Sequence, residues 1–292
     1  MSRKLEEIRG HRSRRWWLTG ATVLAVAAFS ILLTANLPLA VAMYVPAVLS
    51  LLAIFWLESR FPARIDWRPT WREMRSDAAF MLIVQVFLPK ALIAGCAIIL
   101  ADWMHANAPS SWWPQDWPLP AQIILMVLVV DLMRYWLHRA CHRFTMLWRL
   151  HEVHHSPERL YTLNTARFHP FEKILHFSLD TVPFLMLGVA AEVMAGYFLL
   201  YAVNGFFQHS NLHLRYGWLN YVVGSAETHR WHHARDPKIA ACNFSNTTIV
   251  WDLVFGTWYL PKNKTIDDIG ILDKAYPRGF WAQMMTPFGR KS

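Results

Sequence analysis

The chain has 292 residues, 54% of them hydrophobic and only 17% charged, with a net charge of +9. A soluble domain carries about 25% charge, so a water-soluble globule is disfavoured and a disordered chain is excluded. Three distant cysteines, Cys96, Cys141 and Cys242, build neither a disulfide framework nor a zinc ribbon.

In chain order, residues 17–35, 39–57, 78–100 and 119–137 are apolar enough and long enough to span a bilayer, which needs about 20 helical residues. The first run is too long for a signal peptide. Residues 61–75, rich in Arg and Trp, read as an interfacial helix or loop. Lys90 follows Pro89 inside the third span, and the reading is a broken helix with Lys90 facing the bundle interior. A further apolar region, 174–207, fits a helical hairpin that turns within 188–196, around Glu192.

Basic residues number six before Trp16, five in 58–77, none in 101–118, six in 138–173 and ten from His209 onward. This alternation follows the positive-inside rule and accounts for the charge better than nucleic-acid binding does. It predicts an integral, multi-pass protein with the N-terminus, the C-terminus and the active site cytoplasmic; the membrane itself is read as a bacterial inner membrane. Asn243 and Asn263 begin glycosylation-type sequons that this topology puts on the wrong side.

Ten of the fourteen histidines fall into four groups within His138–His233: His138 and His142; His151, His154 and His155; His209 and His213; His229, His232 and His233. Residues three and four apart share a helix face, so each group aims its imidazoles at a common point. Neutral imidazole binds iron, zinc and copper, and ten nitrogens suit two ions with about five each. His11, His105 and His176 read as ordinary residues, and His169 as near the site but not in it. Cys141 points away from His142 along the helix and reads as packing. Asp131, two turns before His138, serves either a ligand imidazole or polar bundle contacts.

His151-Glu152-Val153-His154-His155 also satisfies the helix motif of zinc proteases, with Glu152 as general base. An intramembrane zinc metalloprotease is therefore a rival reading, but it leaves seven clustered histidines unexplained. Glu152 is otherwise an ordinary helix carboxylate or an outer partner of a ligand. A non-catalytic, His-rich metal-binding protein is a third reading. It would spread its histidines along a path through the membrane, whereas these clusters share one face.

Several runs carry a family resemblance. They are Asp131 through Tyr135-Trp136, His138 and His142; Leu147-Trp148 with His151 to Ser156; Asn164-Thr165-Ala166-Arg167-Phe168-His169-Pro170; Gln208-His209-Ser210-Asn211; His229-Arg230-Trp231-His232-His233; and Trp251-Asp252 with Phe255-Gly256-Thr257. Together they resemble the fatty acid hydroxylase/sterol desaturase superfamily of membrane di-iron proteins, over roughly residues 119–260. Departures are Ala226-Glu227 before the last trio, Asn243-Phe244-Ser245 after it, and His213.

The resemblance implies an all-α bundle of about four spanning helices plus the hairpin, under a cytoplasmic helical cap with a histidine-rich dimetal site. The chain then divides into a membrane-spanning region (1–118), a catalytic region (119–260) and a cytoplasmic tail (261–292). It implies two iron ions and O2, a lipid substrate, and hydroxylation or desaturation of an aliphatic C–H. Electrons come from an external donor of the cytochrome b5, ferredoxin or tetrahydropterin type, because no dinucleotide fingerprint follows a strand here. The ten clustered histidines are the expected ligands.

Overall fold

The computed structural model describes residues 16–95, 112–262, 264, 266 and 268–289. The basic leader, His11, Cys96, most of the 101–118 loop with His105, and Asn263 lie outside them. Among the described residues the chain is helical, and its β-pairing is limited to isolated bridges.

Helices α1 (Trp17–Thr34), α2 (Leu39–Arg60), α3 (Trp71–Gly95) and α4 (Leu119–Cys141) are long and apolar enough to cross a membrane. Only 17%, 22% and 11% of the apolar windows of α1, α2 and α3 are buried against protein, against 39% in α4, so protein covers α4 most and leaves most of the apolar surface of the first three open. Next come α5 (Thr145–His155), α6 (Pro170–Met186), α7 (Ala191–His209), α8 (Ala226–His232), α9 (Pro237–Ala240), α10 (Val250–Val254) and α11 (Phe280–Gly289). The hub is α7. One side packs through Leu199, Val203 and Phe207 on α1 and α2, the other through Val193 and Tyr197 on α4 and α6.

Three details differ from expectation. The third span starts at Trp71, not residue 78, because Thr70 and Glu73 form a capping box in which the Thr70 hydroxyl accepts from Glu73 N at 3.3 Å and the Glu73 carboxylate accepts from Thr70 N at 2.7 Å. That helix runs on past Pro89. A π-helical stretch, Phe80–Phe87, precedes the proline and contains Gln85, whose carbonyl an α-helical ring would strike. Lys90 is exposed, with Nζ 5.4 Å from the Tyr44 ring centre, rather than turned to the bundle interior. The hairpin turns at 187–190, ahead of Glu192, which lies in the first turn of α7. Gly188 has φ 73°, its N–H bonds Leu185 O at 3.1 Å, and Val189 N bonds Phe184 O at 2.9 Å, a Schellman closure that reverses the chain at once.

Candidate metal centre

Nine of the ten clustered histidines sit at helix C-terminal ends; His213 lies beyond the end of α7, where Ser210 turns extended (ψ 139°) and breaks the helical spacing from His209. His138 lies in the last turn of α4 and His142 is its C-cap; His151, His154 and His155 end α5; His209 ends α7; His229 and His232 end α8, with His233 its C-cap. The negative ends of four helix dipoles therefore face one point, which favours a cation there.

The imidazole nitrogens gather into two sets, each within 4.8 Å: His138, His142, His151, His155 and His232, and His154, His209, His229 and His233. His213 belongs to neither set. Each HxxHH trio is shared between the sets instead of aiming at one point. His151 and His155 serve the first set and His154 the second; His229 and His233 serve the second and His232 the first. At 3.6 residues per turn, consecutive side chains diverge by about 100°, so the adjacent pairs His154–His155 and His232–His233 must part. The sets touch where the rings of His155 and His233 stack, 4.5 Å between centres.

The outer nitrogens fix which inner ones carry lone pairs. Nδ1 of His138 lies 2.7 Å from Phe244 O, that of His232 2.8 Å from Cys242 O, and that of His154 3.1 Å from Arg167 O. Nδ1 of His209 lies 2.7 Å from Asn164 Oδ1, and that of His151 2.6 Å from Glu172 Oε1. The carbonyl and amide oxygens can only accept, so Nδ1 of His138, His232, His154 and His209 donates and their Nε2 atoms are bare acceptors; an ionised Glu172 places the proton of His151 on Nδ1 in the same way. Yet the Nε2 atoms of His138 and His151 face each other at 3.0 Å with no proton between them. Nε2 of His142 and of His232 is buried without a protein partner. Lone pairs crowded this way repel unless a cation sits among them, and an all-imidazole set suits iron, zinc or copper.

The walls are dry. Phe168 stacks on His154 with centres 4.5 Å apart, Trp148 lies 5.2 Å from His142, and Phe244 meets His142 at 5.4 Å and His138 at 5.6 Å. Burial, chiefly, holds the pKa of His154 down to about 3 and those of His151, His155, His229, His232 and His233 well below the usual value. An unfolded imidazole titrates near 6.5. Below that pH the unfolded chain takes up protons that the fold refuses, so stability falls with pH toward the folded pKa values. The metal-stripped protein is expected to lose melting temperature steeply below about pH 6.5, the many histidines outweighing the buried Glu172 carboxyl, which burial holds up to about 8 and which acts in the opposite sense; a flat profile in detergent would contradict this.

Other predicted residues have supporting places. His169 caps α6, accepting from Phe171 N at 3.3 Å, and its Nε2 meets Met284 O at 3.2 Å. Asp131 accepts from Thr248 N at 2.5 Å, a loop contact. Cys141 is buried beside His151 and Glu172. Glu152 lies outside both histidine sets. His176 Nε2 is 3.5 Å from Glu172 Oε1.

Glu172 and Asp252 stand outside the expected ligands. Asp252 accepts from Phe244 N at 2.8 Å and Ser245 N at 2.7 Å, fixing the loop whose carbonyls orient His138 and His232. Asn243 enters that loop at φ 52°, where its amide donates to Thr228 O at 2.9 Å and Tyr259 O at 2.8 Å. Gln208 and Asn204 hold the neighbouring strand of loop through Asn246 O, at 2.5 and 3.2 Å. Gly224 packs so closely on Asn246 O that a Cβ has no room. Asn164 and Asp252 lie in the resembling motifs; Glu172 carries no comparable signal.

The fatty acid hydroxylase family model matches residues 123–257. Ornithine lipid hydroxylase OlsE of Rhizobium tropici is 30% identical over 249 residues, 84% of this chain and 74% of that protein. The chain belongs to the fatty acid hydroxylase family. Alkylglycerol monooxygenase of Xenopus tropicalis is 30% identical over 160 residues, 55% of this chain but only 33% of that protein. Methylsterol monooxygenase 2-2 of Arabidopsis thaliana is 24% identical over 168 residues, 57% of this chain and 62% of that protein. No solved structure matches. Membership makes the chain an oxidoreductase of the hydroxylase and monooxygenase type, and its four apolar helices make it a multi-pass membrane protein.

Proposed function

We propose that this chain is a membrane di-iron oxidase that hydroxylates an aliphatic C–H position of a lipid, using O2 and electrons from an external donor. The observation that carries this reading is the paired cage, five imidazoles beside four, with lone pairs turned inward by acceptors behind the rings. The nine caged histidines are the proposed ligands. Iron, when bound, supplies O2 activation and removal of hydrogen from an unactivated carbon.

The protein's own contribution is positional. Carbonyls of Phe244, Cys242 and Arg167 lock three rings in one tautomer. Phe168, Phe244 and Trp148 keep water from the reacting carbon. Because the cage lies at one end of the bundle, a lipid reaches it without leaving the bilayer. We place that end on the cytoplasmic side of a bacterial inner membrane, following the loop charges. Hydroxylation is preferred to desaturation because the related proteins named above are hydroxylases and monooxygenases.

The test is metal analysis of detergent-purified protein, O2 uptake on adding reductant, and mass spectrometry of lipid extracts made with and without the chain. Two irons, reductant-dependent O2 uptake and a lipid gaining the mass of one oxygen are expected. Loss of two hydrogens instead would establish a desaturase. A single zinc would favour the protease, and two irons without O2 chemistry a metal store.

A further inference from the structure

We propose that Glu172 is a positioning residue that makes the two ions unequal, tightening the hold of the five-imidazole set through His151. This rests on the di-iron reading above. The other rings with an assigned outer partner lean on neutral oxygens: Phe244 O, Cys242 O, Arg167 O and the Asn164 amide. Among the described residues, His151 is the cage imidazole that pairs with a carboxylate, and the contact is short, 2.6 Å. Both side chains are almost fully buried, at 3% and 1% exposure, so little water screens the pair.

A carboxylate that accepts the outer proton pushes electron density through the ring to the inner nitrogen and raises its basicity toward a metal. A divalent ion on the far side of the ring in turn favours the ionised carboxylate. His151 is also the meeting point of its set. Its Nε2 lies 3.0 Å from that of His138 and 3.1 Å from that of His155. The corresponding meeting point of the other set, His229 Nε2, lies 3.0 Å from His209 and 3.0 Å from His233, and His209 is backed by an uncharged amide. Glu172 therefore acts on one set only.

Cys141 lies with Glu172 and His151 in a third group within 4.8 Å, but that group is not a third metal site. An ion there would need a lone pair on His151 Nδ1, and that nitrogen carries the proton given to Glu172. The helix supplies the precision. Glu172 sits in the first turn of α6, whose start is fixed by the His169 cap and by Pro170.

The experiment compares the full chain, in detergent and loaded with 57Fe(II), as wild type and as the isosteric Glu172→Gln. A ferrous chelator is titrated in, and Mössbauer spectra are recorded. In the variant, one of the two irons is expected to leave at about 10–100-fold lower chelator concentration. One ferrous doublet should shift while the other stays in place. Asn164→Asp, which puts a carboxylate behind His209, should move the other doublet instead. Parallel loss of both irons, or spectra of Glu172→Gln that superimpose on wild type, would overturn the inference with the di-iron reading intact. A wild type that holds no iron pair overturns both.

Discussion

Replacing His232 with alanine is expected to empty the five-imidazole set and abolish turnover. Its ring lies 4.4 Å from His138, 4.7 Å from His142 and 4.7 Å from His155, and its inner nitrogen has no protein partner to fall back on. Losing an outer partner of a ligand costs about 10–100-fold in metal affinity, so removal of the ligand itself should exceed that. His169→Ala and His213→Ala are the comparisons. The first removes a helix cap, costing about 1 kcal/mol, and neither side chain belongs to a set, so both variants should keep their iron. Metal content and O2 uptake measured on the same samples decide the matter. Retention of two irons and of activity in His232→Ala would refute the ligand assignment.

Arg167→Ala should be strongly destabilising. The Arg167 guanidinium pairs with Asp77, and Tyr161 donates to the same carboxylate. The pair is buried, at 5% and 0% exposure. Removing the arginine strands a charge where water does not reach, a loss of about 3–5 kcal/mol. The backbone at Arg167 also holds His154 Nδ1, so movement there should release metal from the second set as well as lower the melting temperature. The double replacement Asp77→Leu with Arg167→Met leaves no unpaired charge and should recover much of the stability. A single variant as stable as wild type would mean that the pair carries little of the fold.

The spans and the histidine clusters were legible because both are local signals: an apolar run of sufficient length, and imidazoles three and four apart. The start of α3 was hidden. Arg72 and Arg75 make its first turns look like a loop, while the Thr70–Glu73 cap that starts the helix is a weak pattern by itself. The division of each trio between two sets follows from helix geometry, but only once the partner helices are in place. The outer partners were least visible. His138 takes its acceptor from Phe244, 106 residues on, and His151 takes its own from Glu172, 21 residues on, and no local periodicity marks such pairings. Glu172 looks like any acidic residue in a helix's first turn.

Two carboxylates tie the cage to the spans. Glu58, near the end of α2, accepts from Thr162 N at 2.8 Å and Asn211 N at 2.6 Å, beside the Asn164 turn and just after His209. Asp77, in α3, grips Arg167 behind His154. A helix whose apolar length mismatches its host bilayer tilts or shifts to compensate. Here any such tilt of α2 or α3 pulls directly on the supports of the four-imidazole set. Turnover is therefore expected to vary with the acyl-chain length of the host membrane even when the substrate is unchanged, and reconstitution in bilayers of different thickness measures it.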